Sequence, residues 1–175
     1  EISCRGGDTP GTDLKNGSRF MQGMSMMDIN NDGSLDIFGC HDNAANRIWL
    51  NDGNGALTYN NYINFATSPS SDMSGNYGST WTDFDDDGDI DLYITKCRQG
   101  VNSSSDPRRW NRLFVNDGNN QYTDQAATYG VQNREQSWAS DLADIDNDGD
   151  LDLITVNHST TAQLFLNDGT GHYTD

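Results

Sequence analysis

One nine-residue pattern, written three times, constrains this chain more than any other feature. It reads Asp28-Ile-Asn-Asn-Asp-Gly-Ser-Leu-Asp36, Asp83-Phe-Asp-Asp-Asp-Gly-Asp-Ile-Asp91 and Asp144-Ile-Asp-Asn-Asp-Gly-Asp-Leu-Asp152. Alternate residues of a tight loop can aim oxygens at one centre, and a hard dication such as Ca²⁺ takes roughly six to eight oxygens at about 2.3–2.6 Å. Positions 1, 3, 5 and 9 offer side chains, position 7 a backbone carbonyl, and glycine at position 6 permits the turn. The expected ligands are Asp28, Asn30, Asp32, Ser34 and Asp36; Asp83, Asp85, Asp87, Asp89 and Asp91; and Asp144, Asp146, Asp148, Asp150 and Asp152. One structural Ca²⁺ is expected per loop. An EF-hand is excluded, because it requires a glutamate at position 12 and flanking helices. Position 12 here is Gly39, Ile94 or Thr155, each inside an apolar run.

A second motif follows each loop: Ile48-Trp-Leu-Asn-Asp-Gly53, Leu113-Phe-Val-Asn-Asp-Gly118 and Leu164-Phe-Leu-Asn-Asp-Gly169, followed by Tyr59, Tyr122 or Tyr173. Asp-Gly between apolar runs signals a hairpin. Each unit is expected to form four strands. The first feeds the loop (Gly23 to Met27, Gly78 to Thr82, Ala139 to Ala143). The second leaves it (Leu35 to Gly39, Ile90 to Thr95, Leu151 to Val156), the third ends in Asn-Asp-Gly, and the fourth carries the tyrosine. No sustained helical stripe interrupts them, so the class is all-β. Four-stranded repeats predict β-propeller blades, in units of about 19–66, 76–130 and 134–175 within one partial propeller spanning 1–175. Three blades fall short of a ring, which takes ~4–8. The remainder is expected from missing chain or from other copies. The chain opens on Glu1 rather than Met, as an excerpt or processed product would.

Composition narrows the partners. Asp and Glu total 27 against 10 Lys and Arg, for a net charge of -17, and the only glutamates are Glu1 and Glu135. Aspartate favours turns where glutamate favours helices, so the acid belongs to loops. The charge excludes a nucleic-acid partner, which needs a basic patch. No stretch approaches the ~20 apolar residues of a membrane span. Extracellular Ca²⁺ sites bind with Kd of roughly 10⁻⁴–10⁻³ M and would be largely empty at cytosolic levels. An extracellular, secreted or cell-surface location is therefore expected.

Cys40 and Cys97 both fall just past a second strand, where a disulfide between adjacent blades is conceivable; Cys4 is the competitor. His41, His158 and His172 read as loop histidines. Trp49, Trp81 and Trp138 read as packing residues and Trp110 as the exposed one. Arg108, Arg109, Trp110 and Arg112 fall in a connection longer than its counterparts, which makes it a candidate partner-binding loop. Its cations either pair locally with Asp106 or meet an acidic partner or the next protomer. Asn16, Asn102 and Asn157 open Asn-x-Ser sequons.

The loops, together with Leu164-Phe-Leu-Asn-Asp-Gly-Thr-Gly-His-Tyr-Thr-Asp175 and Tyr122-Thr-Asp-Gln-Ala-Ala-Thr-Tyr-Gly-Val131, resemble the FG-GAP/VCBS repeat family. The likeness runs from Arg19 onward and is nearest to bacterial VCBS-repeat and cartilage acidic protein (ASPIC/UnbV) types, although no ASPIC-type tail is visible. The resemblance implies a propeller, often seven-bladed, with a calcium loop between the first two strands of a blade. It also implies a surface or secreted role in adhesion or ligand binding. The expected function is a non-enzymatic binding or assembly module for a protein or glycan ligand. The alternatives are a Ca²⁺-dependent lectin, part of a polysaccharide-degrading enzyme, or a structural subunit of an extracellular polymer. No Gly-x-Ser-x-Gly or His-Glu-x-x-His motif is present, and no catalytic residue is assigned.

Overall fold

The structure, a computed structural model, describes residues 21–60, 63, 65, 67 and 69–175. Among them, twelve strands form three four-stranded antiparallel sheets, and the single helical piece is a 3₁₀ turn at Pro107–Arg109. Each sheet is a meander in chain order. Blade 1 holds β1 (Met21–Met27), β2 (Asp36–His41), β3 (Arg47–Asn51) and β4 (Leu57–Asn60). Blade 2 holds β5 (Asn76–Thr82), β6 (Asp91–Lys96), β7 (Arg112–Asn116) and β8 (Tyr122–Asp124). Blade 3 holds β9 (Ser137–Ala143), β10 (Asp152–Asn157), β11 (Gln163–Asn167) and β12 (Tyr173–Thr174). The all-β class holds, and the described residues close no ring. None of their helical structure is long and apolar enough to cross a membrane.

The first strand of each blade begins earlier than the apolar pattern suggests, at Met21, Asn76 and Ser137. In each, the pairing with the second strand shifts register near that start, between Met21 and Gly23, between Asn76 and Ser79, and opposite Val156 and Asn157. An extra residue in one strand breaks strict alternation, which hides the strand from a period-2 reading.

Blades stack in order, with β1 against β5 and β5 against β9. Strand alternation divides every blade into a leading face, toward the blade before it, and a trailing face, toward the blade after it. In blade 2, Leu92, Ile94 and Phe114 lead and join Ile29, Phe38 and Ile48 of blade 1, with Phe65 wedged between. Tyr93, Leu113 and Val115 trail and join Leu153, Phe165 and Tyr173 of blade 3. The residue after the first loop aspartate plugs into each junction: Ile29 from blade 1 and Phe84 from blade 2 are buried. Its counterpart Ile145 is 44% exposed, because no described blade follows blade 3. Met24 and Met26 are likewise exposed on the open leading face of blade 1.

Three expectations are corrected. Cys40 and Cys97 are both free and buried. They sit at the same alternation in successive blades and therefore point the same way: Cys40 into the junction of blades 1 and 2, Cys97 toward Trp138 of blade 3. A blade's thickness separates them. Cys4 and Asn16 lie outside the described residues. Second, Tyr59 is not the counterpart of Tyr122 and Tyr173. Those two pair opposite Asn116 and Asn167, whereas Leu57 pairs opposite Asn51 and Tyr59 stands opposite Trp49. Third, the exposed tryptophan is Trp138, beside His158 on blade 3, with ring centroids 4.8 Å apart. Trp110 is half-buried, lies under the Arg134 guanidinium at 4.9 Å, and donates its Nε1 to Ser104 O at 2.7 Å.

Candidate metal centres

Each aspartate loop joins the first and second strands of its blade. Its shape follows from two left-handed residues. Position 4 is Asn31, Asp86 or Asn147, with φ of 57°, 60° and 63°. Asparagine and aspartate tolerate this region better than other side chains. Position 6 is Gly33, Gly88 or Gly149, with φ of 87°, 95° and 102°.

The position-1 carboxylate holds the turn. Asp83 accepts from Asp87 N at 3.1 Å and Gly88 N at 3.0 Å, and Asp28 and Asp144 do the same in their loops. The position-5 carboxylate accepts from the position-7 N–H, at 2.9 Å for Asp32, 3.0 Å for Asp87 and 3.1 Å for Asp148.

The position-9 aspartates have a structural task that the sequence did not reveal. Asp36, Asp91 and Asp152 are buried, and each accepts two backbone N–H groups from different parts of its blade. Asp91 takes Phe84 N and Asn116 N, both at 2.8 Å. Asp36 takes Ile29 N and Asn51 N at 3.0 and 2.8 Å; Asp152 takes Ile145 N and Asn167 N, both at 2.9 Å. The carboxylate thus clamps the loop to the third strand. The side chain of that strand's terminal asparagine strengthens the tie, since Asn51 Nδ2 donates to Leu35 O at 3.1 Å. In the second and third blades a tyrosine does so too: Tyr122 Oη donates to Ile90 O at 3.2 Å and Tyr173 Oη to Leu151 O at 2.8 Å. The position-7 side chains lie over the Asn-Asp-Gly turns, where a methyl on Gly118 would sit 2.7 Å from Asp89 Oδ2.

Carboxylate oxygens of Asp83, Asp85 and Asp91 lie within 4.8 Å of one another, as do those of Asp144, Asp146 and Asp152. Two ligands on opposite sides of one Ca²⁺ would be separated by about that distance, since each bond is about 2.4 Å. Asp85 Oδ1 is buried without a hydrogen-bond partner, while its Oδ2 accepts from Tyr129 Oη at 3.0 Å. An orphaned anionic oxygen beside two more carboxylates fits a hard cation. The first loop carries Asn30 at position 3, and its amide donates to Asp32 Oδ2 at 2.8 Å. Asp87, Asp148, Asp89 and Asp150 stand outside the two converging groups.

Four of the loop carboxyls resist ionisation. Burial pushes Asp91 up to about 6, with the charges of Asp85 and Asp87 adding to it. Burial raises Asp85 as well, helped by Asp87 and Asp83, and it is the first cause of the rise at Asp36 and Asp146. Asp32 is lowered, chiefly by the Asn30 amide. A cleft of about 440 Å³ opens beside the second loop, lined by Phe84, Asp85, Asp87 and Tyr129 and, from blade 3, by Asp150 and Thr170.

A family model, the FG-GAP-like repeat, matches residues 28–94 and 83–155. The chain belongs to this FG-GAP-like repeat family. Each match opens on a position-1 aspartate and ends within the second strand of the next blade. No curated protein matches the chain.

The remaining candidates of this FG-GAP chain do not converge. The basic loop is paired internally: Arg109 with Glu135 at 2.9 Å, Arg112 with Asp124 at 2.7 Å, and Arg108 with Asp106 at 2.6 Å. Only Arg108 takes the expected partner Asp106; Arg109 and Arg112 pair instead with Glu135 and Asp124. His41 is buried, and its Nδ1 accepts from Asn43 N at 3.1 Å; among the described residues no histidine joins a carboxylate group. Asn157 is buried with its amide donating to Thr161 O and Gln163 Oε1, while Asn102 is exposed.

Proposed function

We propose that this chain is a section of an extracellular, calcium-stabilised β-propeller that serves as a non-enzymatic scaffold for a protein or glycan ligand. One observation carries the calcium reading: the carboxylates of positions 1, 3 and 9 converge within 4.8 Å in two blades, and in blade 2 one oxygen of that group, Asp85 Oδ1, is buried without a hydrogen-bond partner. Ca²⁺ would be held by these side chains, with positions 5 and 7 completing the shell. Its chemistry there is structural, since it neutralises carboxyls that burial and mutual repulsion otherwise oppose. The FG-GAP repeat is generally a non-enzymatic module, which supports the scaffold over the polysaccharide-degrading alternative. The extracellular location belongs to the same proposal, since loops with the roughly 10⁻⁴–10⁻³ M affinity of extracellular Ca²⁺ modules would stay empty at cytosolic levels. The exposed apolar faces of blades 1 and 3 support a larger propeller, completed by further blades. The nearer kinship to VCBS and ASPIC/UnbV proteins belongs to the same proposal.

The test is calorimetric titration of the chelator-treated chain with Ca²⁺, alongside its melting curve. Saturable binding and a higher melting temperature are expected. A melting curve identical in calcium and in excess chelator would remove the calcium reading.

A further inference from the structure

Inner strands meet by one rule at both blade junctions. Between blades 1 and 2, Ser25 Oγ on the trailing face lies 3.0 Å from Ser79 Oγ and accepts from Trp81 Nε1 at 2.8 Å. Between blades 2 and 3, Thr80 Oγ1 donates to Ser140 O at 3.0 Å and lies 2.8 Å from Ser140 Oγ. Two residues earlier, glycine permits the approach: a methyl at Gly23 would lie 2.3 Å from Tyr77 O, and one at Gly78 would lie 3.1 Å from Trp138 O. The open faces depart from this rule. On the trailing face of blade 3 the corresponding residues are Asp141 and Ala139, and on the leading face of blade 1, Met24 stands where Ser79 and Ser140 stand. Farther out, that trailing face remains apolar, with Ile145, Val156 and Leu166 exposed.

We infer that the trailing face of blade 3 docks a further four-stranded unit of this repeat, joined in tandem, that presents a hydrogen-bond donor at the position of Ser79 and Ser140, and that it rejects blade 1 of a second copy. A carboxylate at position 141 accepts but does not donate, and the Met24 thioether has no donor to offer. Asp141 Oδ1 accepts from Leu142 N at 3.0 Å, and a junction of blade 3 on blade 1 would bury the second carboxylate oxygen without a donor, which is costly. A hydroxyl in the same place makes a charge-assisted bond. Ala139 keeps the docked unit a few tenths of an ångström farther out than blade 3 lies from blade 2. The chain's own third unit has the required donor in Ser140. Tyr122-Thr-Asp124 recurs as Tyr173-Thr-Asp175, so a second copy of residues 125–175 continues the repeat in phase. The inference rests on the blade architecture and not on calcium.

The experiment extends the full chain with that second copy of residues 125–175 and follows amide exchange at Ile154–Val156 and Leu166. Exchange about tenfold slower than in the unextended chain is expected. Replacing the added copy's serine, S140M, should return at least about fivefold of that protection, one hydrogen bond to a charge. The unextended chain should sediment without head-to-tail association. Its triple variant Met24→Ser, Ala139→Gly, Asp141→Ser, which restores the rule at both open faces, should associate with rising concentration. Equal protection by the serine and methionine forms would overturn the inference. So would a wild-type oligomer whose exchange footprint covers Met24 and Asp141, or a triple variant that stays monomeric. Failure of the calcium reading appears separately, as melting indifferent to chelator with the serine–methionine contrast intact.

Discussion

Asp91→Ala separates the observed clamp of a position-9 aspartate from its proposed part in calcium binding. The side chain is 1% exposed and accepts two backbone N–H groups, Phe84 N and Asn116 N, each at 2.8 Å. Removing it strands both donors inside the protein, at ~1–3 kcal/mol each, or ~2–6 kcal/mol together. Its share of calcium binding is smaller. At about 1 mM free Ca²⁺ and a Kd of roughly 10⁻⁴–10⁻³ M, a whole site stabilises the fold by ~0.4–1.4 kcal/mol. The clamp therefore outweighs the ion, and Asp91→Ala should cost nearly as much in chelator as in calcium. Asp87→Ala is the control, because its side chain is exposed and caps only Asp89 N. It should lose up to the calcium share in calcium and stay within about 0.5 kcal/mol of wild type in chelator. The assay is urea unfolding by tryptophan fluorescence in both conditions. A loss below about 1 kcal/mol for Asp91→Ala in chelator would refute the clamp, and equal losses for the two variants would refute the division of labour.

Three further outcomes are expected. Gly23→Ala should destabilise by about 1–3 kcal/mol, because the new methyl meets backbone at Tyr77 O, whereas Ala139→Gly on the open face should be near neutral; a neutral Gly23→Ala would disprove the close approach. Lys96 is fully buried among Thr67, Ser74 O and Asn76, and burial pushes it down to about 7, with Arg112 and Arg98 adding and Asp72 and Cys40 opposing. The folded chain therefore binds fewer protons than the unfolded one between about 7 and 10.5, so the Lys96 contribution to stability rises with pH in that window. Cys40, pushed up to about 12, and Cys97, also raised by burial, oppose this as pH nears the ordinary thiol value, so melting from pH 7 to 8 reads chiefly the lysine; an unchanged slope in Lys96→Met would count against it. Cys40 and Cys97 should resist thiol reagents until the chain unfolds, and reductant should leave melting unchanged; rapid labelling of Cys40 in the native state would contradict its burial.

Much of the blade was legible before any coordinates. Glycine at position 6 and asparagine or aspartate at position 4 answer a backbone demand confined to the loop, and the observed positive φ angles fall on those residues. The apolar runs that become β6 and β7 are equally local, but Leu92, Tyr93 and Ile94 are all apolar, so which of them faces which neighbour was not legible. What escaped were relations between segments. The shifted start of β9 hid part of that strand, and the matched Asn-Asp-Gly turns hid the fact that Leu57, not Tyr59, shares a rung with Tyr122 and Tyr173.

The sequence by itself determined the loops and the strands, because spacing and side-chain chemistry within a dozen residues decide them. Only the tertiary structure decided what faces what. It set Cys40 and Cys97 pointing the same way from successive blades, which separates their thiols. It turned Asp36, Asp91 and Asp152 into clamps by bringing the N–H groups of Asn51, Asn116 and Asn167 to them from the third strand. And it left Ile145 bare where Ile29 and Phe84 are covered, because a residue's burial depends on the blade that follows it.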